Sequence, residues 1–170
     1  MQVEIVKGNI VDIPADAVVN AANRWLARGG GVCGAIFDAA GADELEDACL
    51  RLQLCPPGEV RVTPAFRMTT ARHIIHAVGP VWRGDDEPEL LRCCYRNIVQ
   101  AVNGLGAKRV TIPIISSGIY GYPPNQAAFV AVRELLDADS EATAVLVAYD
   151  EWMYEILMNT LKEEACRRTV

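Results

Sequence analysis

Residues 20–32 read NAANRWLARGGGV and join a short apolar segment to a segment of helical composition. Two asparagines, Asn20 and Asn23, precede three successive glycines, Gly29 to Gly31. Because glycine has no Cβ, the backbone can approach a ligand closely there, and the N–H groups at the start of the following helix attract an anion. The stretch therefore predicts a strand–loop–helix unit whose loop binds phosphate and whose amides bind hydroxyl groups.

A second loop of this kind lies far downstream, at Ser116-Ser117-Gly118-Ile119-Tyr120-Gly121. Successive backbone N–H groups in such a loop form a concave anion site. Both loops follow predicted strands, so together they indicate a ligand with more than one phosphate and a sugar.

Strands and helices alternate along the sequence. Apolar runs and polar–apolar alternation predict strands at 3–6, 16–21, 59–63, 73–78, 109–115 and 144–149. Apolar stripes bounded by glycine and proline predict helices at 31–40, 42–54, 87–105, 124–136 and 152–166. This alternation predicts an α/β fold with a predominantly parallel sheet covered by helices on both faces. Ligands bind at the carboxyl ends of such strands, where the chain places both glycine loops, Lys7 to Ile10, and Tyr149-Asp150.

Composition narrows the class of protein. The 170 residues suit one domain over residues 1–170, and a net charge of −6 argues against general nucleic-acid binding. Six cysteines without CxxC or metal-ligand spacing predict reduced thiols in the cytoplasm and no bound metal. A basic, apolar leader and a run long enough to span a bilayer are both missing, so we expect no membrane partner. We expect a cytoplasmic monomer that needs no cofactor.

Two nucleotide-binding classes lack their signatures. A nucleoside-triphosphate hydrolase needs Gly-Lys-Ser/Thr to hold the terminal phosphates and magnesium, and this sequence has none. A dinucleotide-dependent dehydrogenase needs Gly-x-Gly-x-x-Gly after its first strand, which is also absent.

Four motifs occur in a recognisable order: Asn20-Ala21-Ala22-Asn23, Gly29-Gly30-Gly31-Val32, Val78-Gly79-Pro80 and Ser117-Gly118-Ile119-Tyr120-Gly121. With them the chain resembles the macrodomain family along essentially its whole length. The resemblance implies a three-layer α/β/α sandwich with a mixed, mostly parallel central sheet, and ADP-ribose or an ADP-ribosylated protein as partner. Many macrodomains remove ADP-ribose from modified proteins or deacetylate O-acetyl-ADP-ribose.

The resemblance also implies roles for individual residues. Asn23 would bind the distal ribose and orient a water that attacks near Gly31 and Cys33, so these three are the catalytic candidates. Tyr149 would stack on adenine, and Tyr120 would pack near the distal ribose. The remaining ligand-binding candidates are Asn9, Ile10, Asn20, Ala21, Gly29, Gly30, Val32, Ser116, Ser117, Gly118, Ile119, Gly121 and Asp150. His73 and His76 lie in a predicted buried strand, and we interpret both as structural.

Several positions carry two interpretations. Asn9 stands where the family usually has an aspartate that accepts from the adenine amino group; losing that charge would cost about 1 to 2 kcal/mol, unless Asn9 is a plain turn residue. Cys33 stands where the hydrolases of the family have an aspartate, and it is either a reactive thiolate or a small packed thiol. Asn20 is a ligand contact or a structural amide that ties the two loops together. Arg28 contacts the ligand or is solvated.

Two hypotheses therefore remain. As an enzyme, the protein would hydrolyse ADP-ribosyl esters of acidic side chains or O-acetyl-ADP-ribose, mainly through positioning and backbone electrostatics. As a reader, it would bind ADP-ribose without chemistry. Cys33 favours the reader, whereas Asn23 and the intact glycine loop keep the enzyme open. A one-domain chain favours the enzyme, because a reader usually needs an attached module to recruit.

Overall fold

Strands and helices alternate in the computed structural model, which describes residues 1–84 and 88–169. The strands are β1 (Gln2–Lys7), β2 (Ala17–Ala21), β3 (Val60–Pro64), β4 (His73–Ala77), β5 (Arg109–Ile112) and β6 (Thr143–Ala148). The α-helices are α1 (Gly31–Ala40), α2 (Ala42–Arg51), α3 (Pro88–Leu105), α4 (Pro124–Asp137) and α5 (Glu151–Arg168), and a 3-10 turn covers Ile10–Asp12.

The strands form one mixed sheet in the order β1-β6-β5-β2-β4-β3. The neighbouring pairs β1–β6, β6–β5, β5–β2 and β2–β4 are all parallel, whereas β3 pairs antiparallel with β4 at the sheet edge. The polar–apolar alternation of β3 suits such a half-exposed edge position, because one face of the strand meets solvent. The predicted fold class is confirmed.

Helices cover both faces of the sheet. Ala17 and Val19 of β2 point into a core with α3, α4 and α5, whereas Val18 between them belongs to a second core with α1 and α2. The two sides alternate along the strand because successive side chains of a strand point to opposite faces. The result is a sandwich of helices, sheet and helices.

The predicted element bounds agree with the structure to within a few residues. Strand β5 ends at Ile112 because Pro113 cannot donate to the ladder, and α2 ends at Arg51 rather than at Leu54 because Leu52 is extended. Gly41, which lies between the two predicted helices 31–40 and 42–54, is the C-cap of α1, with φ +89°. Glu87, the predicted first residue of α3, lies outside the described residues. Within those residues no helix is both long and apolar enough to cross a bilayer.

Candidate functional site

A cleft of about 560 Å³ opens at the carboxyl ends of the parallel strands. Parallel strands bring these ends to one edge, so segments far apart in sequence meet there. The lining comprises Ala21, Ala22, Asn23, Gly29, Gly30, Gly31, Val32 and Cys33 from the end of β2 onward; Ala77 and Gly79 from the end of β4; Pro113, Ile114, Ile115, Ser116, Ser117, Gly118, Ile119 and Tyr120 after β5; and Val147, Tyr149, Asp150, Trp152 and Met153 from the end of β6.

The glycine loop, which we define as residues 23–31, ends in an uncapped helix N-terminus. Gly30 is the N-cap of α1 and makes no side-chain cap bond, and the first turn of the helix contains no acidic residue. Gly31 has φ +58°, a left-handed conformation that glycine adopts without strain. The N–H groups of this turn therefore meet the cleft with the positive end of the helix dipole, which suits an anion.

The side chain of Asn23 shapes the same loop. Its Oδ1 accepts from the backbone N–H groups of Trp25 and Ala27, each at 3.1 Å, and its Nδ2 donates to the carbonyl of Ala27 at 2.8 Å. Both lone pairs of the amide oxygen are thus engaged. The amide can still offer a ligand its second N–H, which makes Asn23 a donor toward the cleft.

The Ser116 loop, residues 116–121, closes on itself and leaves donors open. Tyr122 N donates to the Ser116 carbonyl at 2.9 Å, and Gly121 N donates to the Gly118 carbonyl at 2.9 Å. Among the residues that the structure describes, the N–H groups of Gly118, Ile119 and Tyr120 have no hydrogen-bond partner. Three successive donors without a partner are what the anion site predicted for this loop requires.

Ser116 itself is unusual. It has φ +67°, a backbone conformation that residues other than glycine rarely adopt. Its buried Oγ has no hydrogen-bond partner within residues 1–84 and 88–169. A buried hydroxyl without a partner costs free energy, and backbone strain of this kind concentrates at functional sites. A ligand oxygen at the cleft floor would satisfy the hydroxyl.

Two residues from other elements hold the Ser116 loop from below. The N–H of Ile115 donates to the hydroxyl oxygen of Tyr95, a fully buried residue of α3, at 3.2 Å. Burial raises the pKa of the Tyr95 phenol far above its usual value, so the hydroxyl stays neutral. A Cβ on Gly79 would lie 2.2 Å from Ser116 Oγ and 2.4 Å from Ile115 Cγ2, so only glycine fits there.

Cys33 belongs to a buried polar chain behind the glycine loop. Its thiol is 6% exposed and lies 3.8 Å from the Ala27 carbonyl and 3.7 Å from Asn20 Nδ2. This environment fits the interpretation of Cys33 as a packed thiol. In the described chain, no three His, Cys, Asp or Glu side chains gather closely enough to hold a metal ion.

The chain of polar contacts continues through Asn20 to His76. Asn20 Nδ2 lies 3.1 Å from His76 Nδ1, and His76 Nε2 lies 2.9 Å from Thr63 Oγ1. Burial lowers the pKa of His76 to about 4, so the imidazole is neutral at pH 7. Asn20 is buried and links the start of α1 to β4. Asn20 is not part of the cleft lining that the described residues form, so it is not the expected ligand contact. Its amide bonds to Cys33 and His76, and it does not tie the glycine loop to the Ser116 loop.

Exposed aromatic side chains border the cleft at the end of β6. Tyr149 is 85% exposed and Trp152, in the first turn of α5, is 60% exposed. Asp150 also lines the cleft, but its carboxylate caps α5 by accepting from Met153 N at 2.8 Å. Partial burial raises the pKa of the Tyr120 phenol, so this hydroxyl stays protonated.

Most predicted site residues line the cleft, and four lie outside the lining that the described residues form. Asn9 caps the 3-10 turn through a 3.5 Å bond from Val11 N to its Oδ1, which agrees with the turn-residue interpretation. Ile10 is buried in the core beside α1 and α2. Gly121 closes the turn of the Ser116 loop, and Asn20 is buried as described above. Arg28 pairs with Asp38.

Sequence reasoning missed part of the lining. The missed residues are small or apolar and carry no chemical signature: Ala22, Ala77, Gly79, Pro113, Ile114, Ile115, Val147, Trp152 and Met153. Trp152 and Met153 could have been found, because a helix that begins directly after Tyr149-Asp150 places its first turn at the same sheet edge. Gly79 stands in a quoted motif, but its role depends on a contact with a distant loop.

Comparisons with known proteins agree with this geometry. The family model of the Macro domain matches residues 19–131. A macro domain-containing protein of Ralstonia nicotianae is 43% identical over 159 residues, covering 90% of this chain and 92% of that protein. The O-acetyl-ADP-ribose deacetylase of Salmonella typhimurium is 45% identical over 142 residues, covering 80% of this chain and 78% of the deacetylase.

Solved structures show the same fold. The Oceanobacillus iheyensis macrodomain with ADP has a TM-score of 0.92 at 36% identity, covering 97% of this chain and 92% of that one. The Trypanosoma brucei macrodomain in complex with ADP-ribose has a TM-score of 0.84 at 32% identity, covering 93% of this chain and 68% of that one. The family resemblance of the motifs is confirmed, and the chain belongs to the Macro domain family.

Proposed function

We propose that this protein binds ADP-ribose in the cleft and hydrolyses ADP-ribosyl esters, either those of mono-ADP-ribosylated acidic side chains or O-acetyl-ADP-ribose. One observation carries the proposal: two backbone loops with open N–H groups face one cleft, with an exposed aromatic at one end and a side-chain amide at the other. The Salmonella relative is named for the deacetylase activity, and the trypanosomal structure contains ADP-ribose.

The parts of ADP-ribose would occupy the cleft in order. Adenine would stack on Tyr149, beside Trp152. The diphosphate would lie between the first turn of α1 and the open N–H groups of residues 118–120, with Ser116 Oγ as a further donor. The distal ribose would then reach Asn23, which donates its remaining N–H, and Tyr120. Because the protein surface is acidic overall, backbone dipoles supply the positive potential that the phosphates need.

Hydrolysis of the ester would rest on positioning. A water near Gly31 and Cys33 would attack the anomeric carbon of the distal ribose, the bond to the acceptor carboxylate would break, and the water proton would pass to a ligand phosphate oxygen. With O-acetyl-ADP-ribose the same water would attack the acetyl carbonyl and release acetate. Cys33 is packed against Ala27 and Asn20, so we assign it no proton transfer. The rate enhancement would come from the placement of the water and from the backbone N–H groups of the loops, which stabilise negative charge in the transition state.

One observation favours the reader as a second candidate function. The first turn of α1 contains no carboxylate, because Cys33 stands where the hydrolases of the family have an aspartate. A cleft that binds ADP-ribose but lacks a base would recognise the modification without removing it.

Titration with ADP-ribose by calorimetry, followed by incubation with a mono-ADP-ribosylated protein, separates these functions. We expect micromolar binding and release of ADP-ribose by the wild type. Asn23→Ala should weaken binding by about tenfold, because it removes a ligand donor and the three side-chain hydrogen bonds that shape the loop. Asn159→Ala, an exposed asparagine of α5, is the matched control and should change nothing.

Cys33→Asp sharpens the choice. If the wild type releases ADP-ribose slowly and Cys33→Asp releases it faster, the result would support water placement as the mechanism. It would also show that the cysteine limits the rate. Binding without release by the wild type, with release gained only in Cys33→Asp, would establish the reader. Failure of the wild type to bind ADP-ribose would refute both functions.

A further inference from the structure

The glycine loop displays an exposed tryptophan that lies outside the cleft lining. Trp25 is 66% exposed, and a large aromatic held in solvent is informative because such side chains are usually buried. The loop holds it there firmly. The backbone N–H of Trp25 donates to Asn23 Oδ1 at 3.1 Å, and the next residue, Leu26, is buried with φ +55°. A buried, strained anchor directly after Trp25 fixes the backbone that carries it.

A second exposed apolar residue, Leu54, lies on the neighbouring segment of the chain. Cys55 N donates to the carbonyl of Arg24 at 2.9 Å, which places Leu54, itself 53% exposed, next to the segment that carries Trp25. The guanidinium of Arg24 lies 5.7 Å from the centre of the Trp25 ring, in a cation–π arrangement. We call Arg24, Trp25 and Leu54 the Trp25 patch.

The patch is cationic on an acidic protein. Around it, Arg28 pairs with Asp38 and Arg61 pairs with Glu59, whereas Arg24 forms no ion pair in the part of the chain that the structure describes. The whole chain carries a net charge of −6. Tryptophan and arginine are the side chains most enriched at the energetic centres of protein interfaces, and an unneutralised cation favours an anionic partner.

The position of the patch identifies the partner. Trp25 follows Asn23 by two residues, and Asn23 is bonded to its backbone, so the patch adjoins the end of the cleft assigned to the distal ribose. In an ADP-ribosylated protein the polypeptide is attached at that ribose. We propose that the Trp25 patch binds the polypeptide next to the modified side chain and prefers acidic flanking residues. This inference rests on the proposed function, because it takes its orientation from the bound ADP-ribose.

Two peptides carrying ADP-ribose through an uncleavable linkage test the proposal, one flanked by Asp and Glu and the other by Lys. Each conjugate and free ADP-ribose are titrated against the wild type, Trp25→Ala and Arg24→Ala. We expect the wild type to bind the acidic conjugate about tenfold more tightly than free ADP-ribose. Trp25→Ala should abolish this advantage and leave the affinity for free ADP-ribose within about twofold.

Arg24→Ala should mainly reduce the preference for acidic over lysine flanks, by about three- to fivefold. The matched control is Arg133→Ala, because Arg133 also stacks on an aromatic ring, that of Phe129 at 5.8 Å, but on α4. This control should bind all three ligands as the wild type does. Unchanged binding of free ADP-ribose also shows that each variant is folded.

The two proposals fail in different ways. Equal affinity of the wild type for the acidic conjugate and for free ADP-ribose overturns the inference alone, as does an advantage that survives in Trp25→Ala. If the wild type binds neither ligand, the proposed function is wrong and the inference is wrong with it.

Discussion

The two loops that flank the cleft are built in opposite ways. The glycine loop takes its shape from its own residues, because the Asn23 side chain bonds to backbone groups two and four positions further along the chain. The Ser116 loop takes its shape from distant residues, since Tyr95 supports it from α3, 20 positions away in sequence, and Gly79 leaves room for it at the end of β4. One loop is local and exposed, and the other is set by the core. The ligand would therefore meet one wall that local bonds shape and one wall that distant core residues fix, and we call the second the rigid wall.

The largest effect should come from filling the space above Gly79. In Gly79→Ala the new Cβ would lie 2.2 Å from Ser116 Oγ and 2.4 Å from Ile115 Cγ2, so the Ser116 loop must move. We expect a loss of about 3 kcal/mol in the free energy of unfolding, since overpacking in a dense core costs that order. ADP-ribose affinity should fall at least about tenfold, because the loop donors shift with the backbone. Chemical denaturation and calorimetry measure the two effects.

Two other glycines calibrate this result. Gly34→Ala places a Cβ 2.9 Å from the Gly29 carbonyl oxygen, so the backbone of the glycine loop must shift slightly, because this overlap is smaller than the one at Gly79. Its effect should be clearly smaller than that of Gly79→Ala. Gly104→Ala meets nothing within 4 Å and controls for the change of residue type alone. If Gly34→Ala proves the more damaging, the glycine loop is the rigid wall and the comparison is reversed.

Acid should next destabilise the buried polar chain of Asn20 and His76 behind the glycine loop. His76 has its pKa lowered to about 4 by burial, against about 6.5 in an unfolded chain. Between these values the unfolded state binds the proton and the folded state does not, so stability is complete above pH 6.5 and falls as the pH drops toward 4. The loss should approach about 2 to 3 kcal/mol at pH 4.5.

Comparison with His76→Gln isolates this contribution, because the variant removes the titrating ring while other groups titrate as before. Denaturant unfolding at pH 7 and pH 4.5 should give a smaller difference for the variant than for the wild type. An equal difference in the two proteins would mean that His76 is not the group responsible.

The contrast between the loops also explains what could be predicted from the sequence. The fold class followed from the alternation of elements, and the glycine loop followed from Asn23 and Gly29 to Gly31, since its determinants lie within a few residues of each other. The support of the Ser116 loop could not be predicted, because it depends on a buried tyrosine of α3 that reads as an ordinary core residue of an apolar stripe. Asn20 shows the same limit. An asparagine at that position suggested a ligand contact or a tie between the two loops, but its side chain on β2 points toward Cys33 and His76.

A smaller effect is expected from the hydroxyl of Tyr95. Tyr95→Phe keeps the ring and removes the acceptor of the Ile115 N–H, which leaves a buried donor without a partner. We expect a loss of about 1 to 2 kcal/mol in unfolding free energy, and weaker ADP-ribose binding that follows the loosened loop. Tyr154→Phe, a partly buried tyrosine of α5, is the matched control for the loss of a hydroxyl. Equal behaviour of the two variants in ADP-ribose titrations would show that Tyr95 does not position the loop.

The smallest effect in stability should be the most telling about the rigid wall. Ser116 is held at φ +67°, so Ser116→Gly relieves the backbone strain and removes a buried hydroxyl without a partner. Because glycine is more flexible in the unfolded chain, the net gain in stability should stay below about 1 kcal/mol. Binding of ADP-ribose should nevertheless weaken by several-fold, since the variant loses a donor and a fixed loop. Stability and affinity would then move in opposite directions, which is the mark of a residue whose strain serves the ligand. If both fall together, the left-handed serine supports the fold and the Ser116 loop is rigid for structural reasons alone.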